Sequence, residues 1–239
     1  MDRITGPERE DDDNHAYQSI AEDIFEKFIS KSRVIGLGSG LTVSSILKCM
    51  KRLRENLDIK FVTTSLQIKN SAQAIGLIMI DESYIPDIDF VLDGADQIDS
   101  HFNMIKGGGG ALLREKIVIS AAKSFAIVGH SNKYVDTFNI PIPIEVHPFA
   151  RSFVLNELLS IGATPKLRML DKGYPFVTEN GNIIYDTSFT PSQEMQEMEV
   201  KIKTIPGVME VGIFTKCADA YYVINPNNSF TILNSSSSR

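Results

Sequence analysis

The chain has no tryptophan and only two cysteines, Cys49 and Cys217, among its 239 residues. Two cysteines make no disulfide framework, so a reducing compartment is expected. Basic charge is not in excess: 24 Lys and Arg against 30 Asp and Glu leave a net charge of −6. A nucleic-acid footprint is normally basic, so no nucleic-acid partner is expected. No apolar run is long enough to span a bilayer, so no membrane partner is expected either. The four histidines join no Cys/His cluster at ligand spacing, and no metal site is expected. The opening residues, MDRITGPEREDDDN, lack the apolar stretch of a signal peptide and the Arg/Ser richness of a transit peptide. The expected location is cytoplasmic, or the plastid stroma if a transit peptide has been removed. What remains is an ordinary globular composition, 43% hydrophobic and 23% charged.

The most informative stretch is Ile105 to Ser120, IKGGGGALLREKIVIS. Four consecutive glycines, Gly107 to Gly110, follow Lys106. Such a run is costly inside a helix or strand, because glycine loses the most chain entropy on ordering. It suits a backbone that lies against a ligand. Good helix formers follow it, so the spacing predicts a glycine loop entering a helix N-terminus, where free N–H groups and the dipole attract anions. Glu115 falls about one turn in. A lysine, bare backbone and a carboxylate then meet in one place. The alternative, that Glu115 complements the dipole and Lys106 is a solvated loop residue, stands equal on this stretch alone.

In chain order, residues 1–14 read as a mobile tail, with Asp13 or Asn14 capping a helix from His15 to Ile29. Val34-Ile35, then Gly36-Leu-Gly38-Ser-Gly40, then Thr42 to Met50 reads as strand, glycine loop and helix. That is the first unit of a doubly wound sheet. A dinucleotide site would place a carboxylate at the end of the second strand, about 20 residues on. Thr63-Thr64-Ser65 stands there instead, and Thr64 with Gln67 fits a capping box. Asp93 and Asp96 follow the buried strand Asp89 to Asp93, at the end of the sheet where ligands bind in open α/β folds. Each aspartate also suits a turn for its own geometry. Phe125 to Gly129 is a further strand, and His130 after it reads as structural.

From Pro141 the pattern becomes β-α-β-β-α-β, beginning with an edge-like Pro-Ile-Pro-Ile strand. The expected fold is α/β: a Rossmann-like open sheet with helices on both faces over 15–140, completed by about 215–225, plus a smaller ferredoxin-like α+β domain over 141–214. Residues 226–239 read as a polar tail.

Six segments resemble ribose-5-phosphate isomerase of the A type: GLGSGLT (36–42), TTS (63–65), DGADQID (93–99), KGGGGALLREKIV (106–118), SNKYV (131–135) and PIPIEVHPFA (141–150). The resemblance runs from about residue 15 to 224. It implies interconversion of ribose 5-phosphate and ribulose 5-phosphate, the pentose phosphate pathway reaction, with a sugar phosphate as partner, no cofactor, and a homodimer or homotetramer. It implies that Glu115 moves the proton between C1 and C2, that Lys106 and the glycine amides stabilise the enediolate, and that Asp93 opens the sugar ring. Substrate-binding positions so implied are Ser39, Gly40, Leu41, Thr42, Asp93, Gly94, Ala95, Asp96, Lys106, Gly107, Gly108, Gly109 and Lys133. Two departures bear on the phosphate end: Gln18 where the family usually has lysine, and Leu41 where it usually has serine. A second reading is a sugar-phosphate-binding homologue, sensor-like, that has lost most turnover.

Overall fold

A computed structural model of the chain describes residues 14–50, 58–80, 87–189 and 194–234. The first part of the chain runs α1 (Asn14–Lys27), β1 (Val34–Leu37), α2 (Leu41–Cys49), β2 (Lys60–Thr63), α3 (Leu66–Ala74), β3 (Ile78–Met79), β4 (Ile88–Gly94), β5 (Gln97–Ile98), β6 (Met104–Ile105), α4 (Leu112–Ser120) and β7 (Ala122–His130). There follow β8 (Ile142–Val146), α5 (Arg151–Ser160), β9 (Thr164–Leu167), β10 (Ile183–Ser188), α6 (Met195–Lys203), β11 (Val208–Val211), β12 (Ile213–Phe214), β13 (Ala220–Ile224) and β14 (Phe230–Leu233). The expected tail lies outside the described residues apart from Asn14, which opens α1. Asp13, the other expected cap, also lies outside them.

The main sheet has the order β14-β13-β7-β4-β1-β2-β3. All pairings are parallel except β13 with β14. Leaving out β14 and numbering the parallel strands in sequence gives 3-2-1-4-5-6, the Rossmann order. Parallel strands covered on both faces read as continuous apolar runs, and β4 shows how both faces are used. Phe90 and Leu92 pack with α1, α2 and α3, while Val91 packs with Leu112, Val118 and Ile119 of α4. Helices therefore lie on both faces, and the strand order reverses between β1 and β4. Chain segments leave the carboxyl ends of these two strands in opposite directions, which opens a crevice there.

The second sheet has the order β11-β8-β10-β9, all antiparallel, with α5 and α6 packed on it. This is the order of a β-α-β-β-α-β unit. A short third sheet, β12-β6-β5, joins Ile213-Phe214 to Met104-Ile105 beside the glycine loop.

Three local expectations need correction. The strand from Pro141 is not an edge: β8 has β11 on one side and β10 on the other. Its prolines are tolerated because β11 pairs only with Ile144 to Val146. Pro143 instead serves as an acceptor, through its carbonyl, for Gly212 N–H. The expected polar tail from 226 contributes β14, whose Phe230 and Ile232 pack on the core beside Tyr222. The turn before it holds Asn228 at φ 59°, a left-handed position that asparagine tolerates. Finally, the cap of α3 is Ser65, not Thr64: Ser65 Oγ accepts from Ile68 N–H. Gln67 is drawn away, accepting from Gly40 N–H at 3.0 Å and donating to Ser44 Oγ at 2.8 Å.

Candidate active site

The glycine loop enters α4 as the sequence predicts. Gly107 and Gly110 have φ of +107° and +81°, a region that L side chains rarely adopt. The loop is thereby bent so that Lys106, just before it, and Glu115, in the first turn of α4, face the same space. Lys106 Nζ lies 3.3 Å from Glu115 Oε2 and 2.9 Å from Asp93 Oδ2, and it donates to the carbonyl of Gly94. The two carboxylate contacts are ionic, without hydrogen-bond alignment at those oxygens. All three side chains are buried: Asp93 is 0% exposed, Lys106 2% and Glu115 5%.

Burial disfavours charge, so it sets the direction of the carboxylates. It pushes the Glu115 carboxyl up to about 7; Lys106 opposes the shift and the nearby Asp93 adds to it. Burial also raises Asp93, against the pull of Lys106. For Lys106 burial acts the other way, but the attraction of Asp93 and Glu115 outweighs it and holds the ammonium above the ordinary lysine value. The site thus combines a firmly charged cation with a carboxyl that titrates near neutrality.

Lys106 and Glu115 form the floor of a cleft at the switch between β1 and β4. Every residue expected to bind substrate lines it except Asp93: Ser39, Gly40, Leu41 and Thr42 on one side, Gly94, Ala95, Asp96 and Lys133 on another, Lys106 to Gly109 with Glu115 beneath. Val43 also lines it and carried no signal in the sequence. Asp93 sits behind Lys106, its other oxygen accepting from Gly94 N–H at 2.7 Å. Asp96 accepts from Gly108 N–H at 2.7 Å. Lys133 donates to the Ala95 carbonyl at 2.7 Å, and its burial lowers its pKa. Among the described residues no group of His, Cys, Asp or Glu could hold a metal ion, and no described helix is long and apolar enough to cross a membrane.

The hydroxyls of the β2 end are engaged within the protein. Ser39 Oγ lies 2.8 Å from Thr64 Oγ1 and donates to Ser65 Oγ at 2.7 Å. They brace the first glycine loop from below. Of the two departures, Leu41 lines the cleft and is 83% exposed. Gln18 lies on the exposed face of α1, donating to Glu22 at 3.4 Å, and does not line the cleft.

Two groups from the second sheet reach the loops, and sequence reading missed both. Arg168 donates to the carbonyls of Gly107 and Gly108 at 2.9 and 3.0 Å. Glu179, in the turn between residues 178 and 182, accepts from Leu66 N–H at the start of α3 and pairs with Arg114. Both contacts join residues far apart in sequence, which periodicity does not report.

The family model for ribose 5-phosphate isomerase A (phosphoriboisomerase A) matches residues 60–228. The ribose-5-phosphate isomerase A of Thermoplasma volcanium is 41% identical over 199 residues, covering 82% of both chains. That of Blochmanniella pennsylvanica is 39% identical over 191 residues, 80% of this chain and 85% of its own. A solved D-ribose-5-phosphate isomerase in complex with phospho-erythronic acid superposes with a TM-score of 0.83 at 34% identity, over 92% of this chain and 97% of that one. The Methanocaldococcus jannaschii enzyme gives 0.82 at 31% identity, over 94% and 99%.

Proposed function

The chain belongs to the ribose-5-phosphate isomerase A family, and from that premise we propose how its cleft interconverts D-ribose 5-phosphate and D-ribulose 5-phosphate. The observation that carries the proposal is Glu115: a buried carboxyl raised to about 7, lining the cleft 3.3 Å from a buried cation. A base is most effective when its pKa lies near the working pH. In the open-chain aldose the proton on C2 passes to Glu115. The C–H electron pair becomes the C1=C2 bond, and the carbonyl oxygen at C1 takes the charge. Return of that proton to C1, with the hydroxyl proton of C2 moving to the oxygen on C1, yields the ketose. The balance is redox-neutral, so no external hydride acceptor enters it.

The enediolate needs positive charge and donors that are already in place. Lys106 supplies the charge, and the amide of Gly109, exposed in the cleft lining, supplies a donor. The resemblance gives ring opening to Asp93. Since Asp93 meets the cleft only through Lys106, we assign it an indirect part: as the bond from C1 to the ring oxygen breaks, Lys106 gives a proton to that oxygen and takes back the proton of the C1 hydroxyl, ending charged, and Asp93, 2.9 Å away, holds the charge balance. Asp96 faces the sugar hydroxyls. The phosphate belongs at the N-terminus of α2, an anion-favouring helix start where Leu41 and Thr42 line the cleft, with Lys133 completing the site. The assembly implied by the resemblance is a homodimer or homotetramer, in the cytoplasm or, after removal of a leader, the plastid stroma. No observation favours a binder without turnover. The test is direct: purified protein should form ribulose 5-phosphate from ribose 5-phosphate with nothing else added, and a protein that binds the sugar phosphate without converting it would refute the proposal.

A further inference from the structure

We propose that Arg168, which does not line the cleft, is a positioning residue that sets two peptide planes of the glycine loop, holding the Gly108 amide on Asp96 and aiming the Gly109 amide at the reacting oxygens. The inference rests on the isomerase reading above and adds a residue of the second sheet to that reaction. The loop has no side chains of its own between Lys106 and Ala111; a local turn bond from Gly110 N–H to the Gly107 carbonyl at 3.0 Å leaves the Gly108 carbonyl without a partner inside the loop. Arg168 supplies what is missing. One guanidinium nitrogen, Nη1, donates to the carbonyls of both Gly107 and Gly108, at 2.9 and 3.0 Å.

A trans peptide holds its C=O and N–H on opposite sides. Each carbonyl turned towards Arg168 therefore turns the N–H of the next residue away from it, towards the cleft. For the first plane this N–H is that of Gly108, and it meets Asp96 Oδ2 at 2.7 Å. For the second it is that of Gly109, whose residue lines the cleft and is exposed there. Hydrogen bonds from a cation are stronger than neutral ones, and a polarised peptide passes part of that effect on to its own donor. A chain of contacts results: the Asp186 carboxylate, the Arg168 guanidinium, the Gly107–Gly108 peptide and the Asp96 carboxylate.

Arg168 is itself held firmly. Asp186 of β10, whose cross-strand partner is Lys166, accepts from Nε at 2.9 Å and from Nη2 at 2.5 Å. The ring of Phe176 lies 5.6 Å from the guanidinium carbon. The same ring closes against the loop at Gly110, where a Cβ would approach it to 2.6 Å. A lysine could not reproduce this, because a point charge cannot hold two carbonyls and a bidentate carboxylate at once.

The experiment uses the full chain with Arg168→Ala, Arg168→Lys and Asp186→Asn. Steady-state kinetics with ribose 5-phosphate are measured beside binding of a phosphorylated four-carbon aldonate, whose carboxylate mimics the enediolate. Misplaced donors are expected to lower kcat on the order of tenfold to hundredfold, with KM little changed and aldonate affinity falling in parallel with kcat/KM. Added guanidinium ion should restore part of the lost rate in Arg168→Ala and none in Arg168→Lys. If Arg168→Ala does not fold, Arg168→Lys and Asp186→Asn carry the same test through the kcat and KM split. Folded variants with unchanged kcat, or with a rise in KM alone, would overturn the inference. An inactive wild-type protein would overturn the isomerase reading itself, and this inference with it.

Discussion

Gly38 and Asp93 are fitted to each other: a Cβ on Gly38 would lie 1.8 Å from Oδ1 of Asp93. The carboxylate occupies the space that the glycine leaves open, just past β1, where Gly38 N–H donates to the Leu92 carbonyl of β4 at 2.8 Å. Gly38→Ala therefore has to move Asp93 or the backbone. Overpacking of this kind costs about 1–3 kcal/mol, and here it also displaces the partner of Lys106. The expected result is a lower unfolding midpoint and a lower kcat together, read by thermal melting and steady-state turnover.

Asp93 and Lys106 are paired in a buried site, so removing Lys106 leaves the Asp93 carboxyl without its cation, and removing the Asp93 charge leaves Lys106 with Glu115 alone. Breaking a buried pair costs about 3–5 kcal/mol. Asp93→Asn and Lys106→Ala are both expected to melt earlier and to lower kcat more than they raise KM. A loss seen only in KM would reduce Lys106 to a phosphate anchor. Because Lys106 supplies the positive charge, a chelator should leave turnover unchanged.

The phosphate end gives a separate prediction. Leu41 stands exposed in the cleft lining, whereas Gln18 faces solvent on α1. Leu41→Ser adds a hydroxyl at the N-terminus of α2, and a hydrogen bond to a charged group contributes about 1.5–3 kcal/mol. KM should fall with kcat nearly unchanged. Gln18→Lys, made alone, should do less. Isothermal titration with ribose 5-phosphate distinguishes the two, and an equal gain from both would show that α1 reaches the phosphate.

The acid limb of the pH profile should belong to Glu115. Its carboxyl is raised to about 7, so kcat/KM should climb through that pH as the base ionises, then level off. Stability should run the other way. A carboxyl raised in the folded state favours folding fully below its unfolded value near 4.5 and loses that contribution as pH rises through 7. Urea unfolding from pH 4.5 to 8 should show this decline in the wild type and a flatter curve in Glu115→Gln.

Much of this site is legible in the sequence because its parts are local. The first glycine loop, which starts at Gly38 and not at the expected Gly36 because Gly36 and Leu37 are paired within β1, the Asp93–Asp96 turn and the Lys106–Gly110 loop each sit where a strand ends or a helix begins, and chain order alone brings them to one end of a sheet. The contributions that were not legible depend on contacts between distant segments. Whether β8 is an edge is decided by β11, which arrives some 60 residues later in the chain. The cap of α3 moves from Thr64 to Ser65 because Thr64 donates to the Leu37 carbonyl across the sheet. Arg168 and Glu179 look like ordinary surface charges until the second sheet docks them on the loops. Asp93 reads as a cleft residue, but Lys106 covers it, which follows from packing and not from spacing.

The central claim is that Glu115 carries the proton between C1 and C2. Glu115→Gln keeps the shape and removes the base. Turnover of ribose 5-phosphate by this variant, measured beside its affinity for a phosphorylated aldonate, tests the claim most directly. A positioned base contributes about 10²–10⁴-fold, so kcat should fall by at least that order while the aldonate still binds. Turnover near the wild-type rate would contradict the assignment.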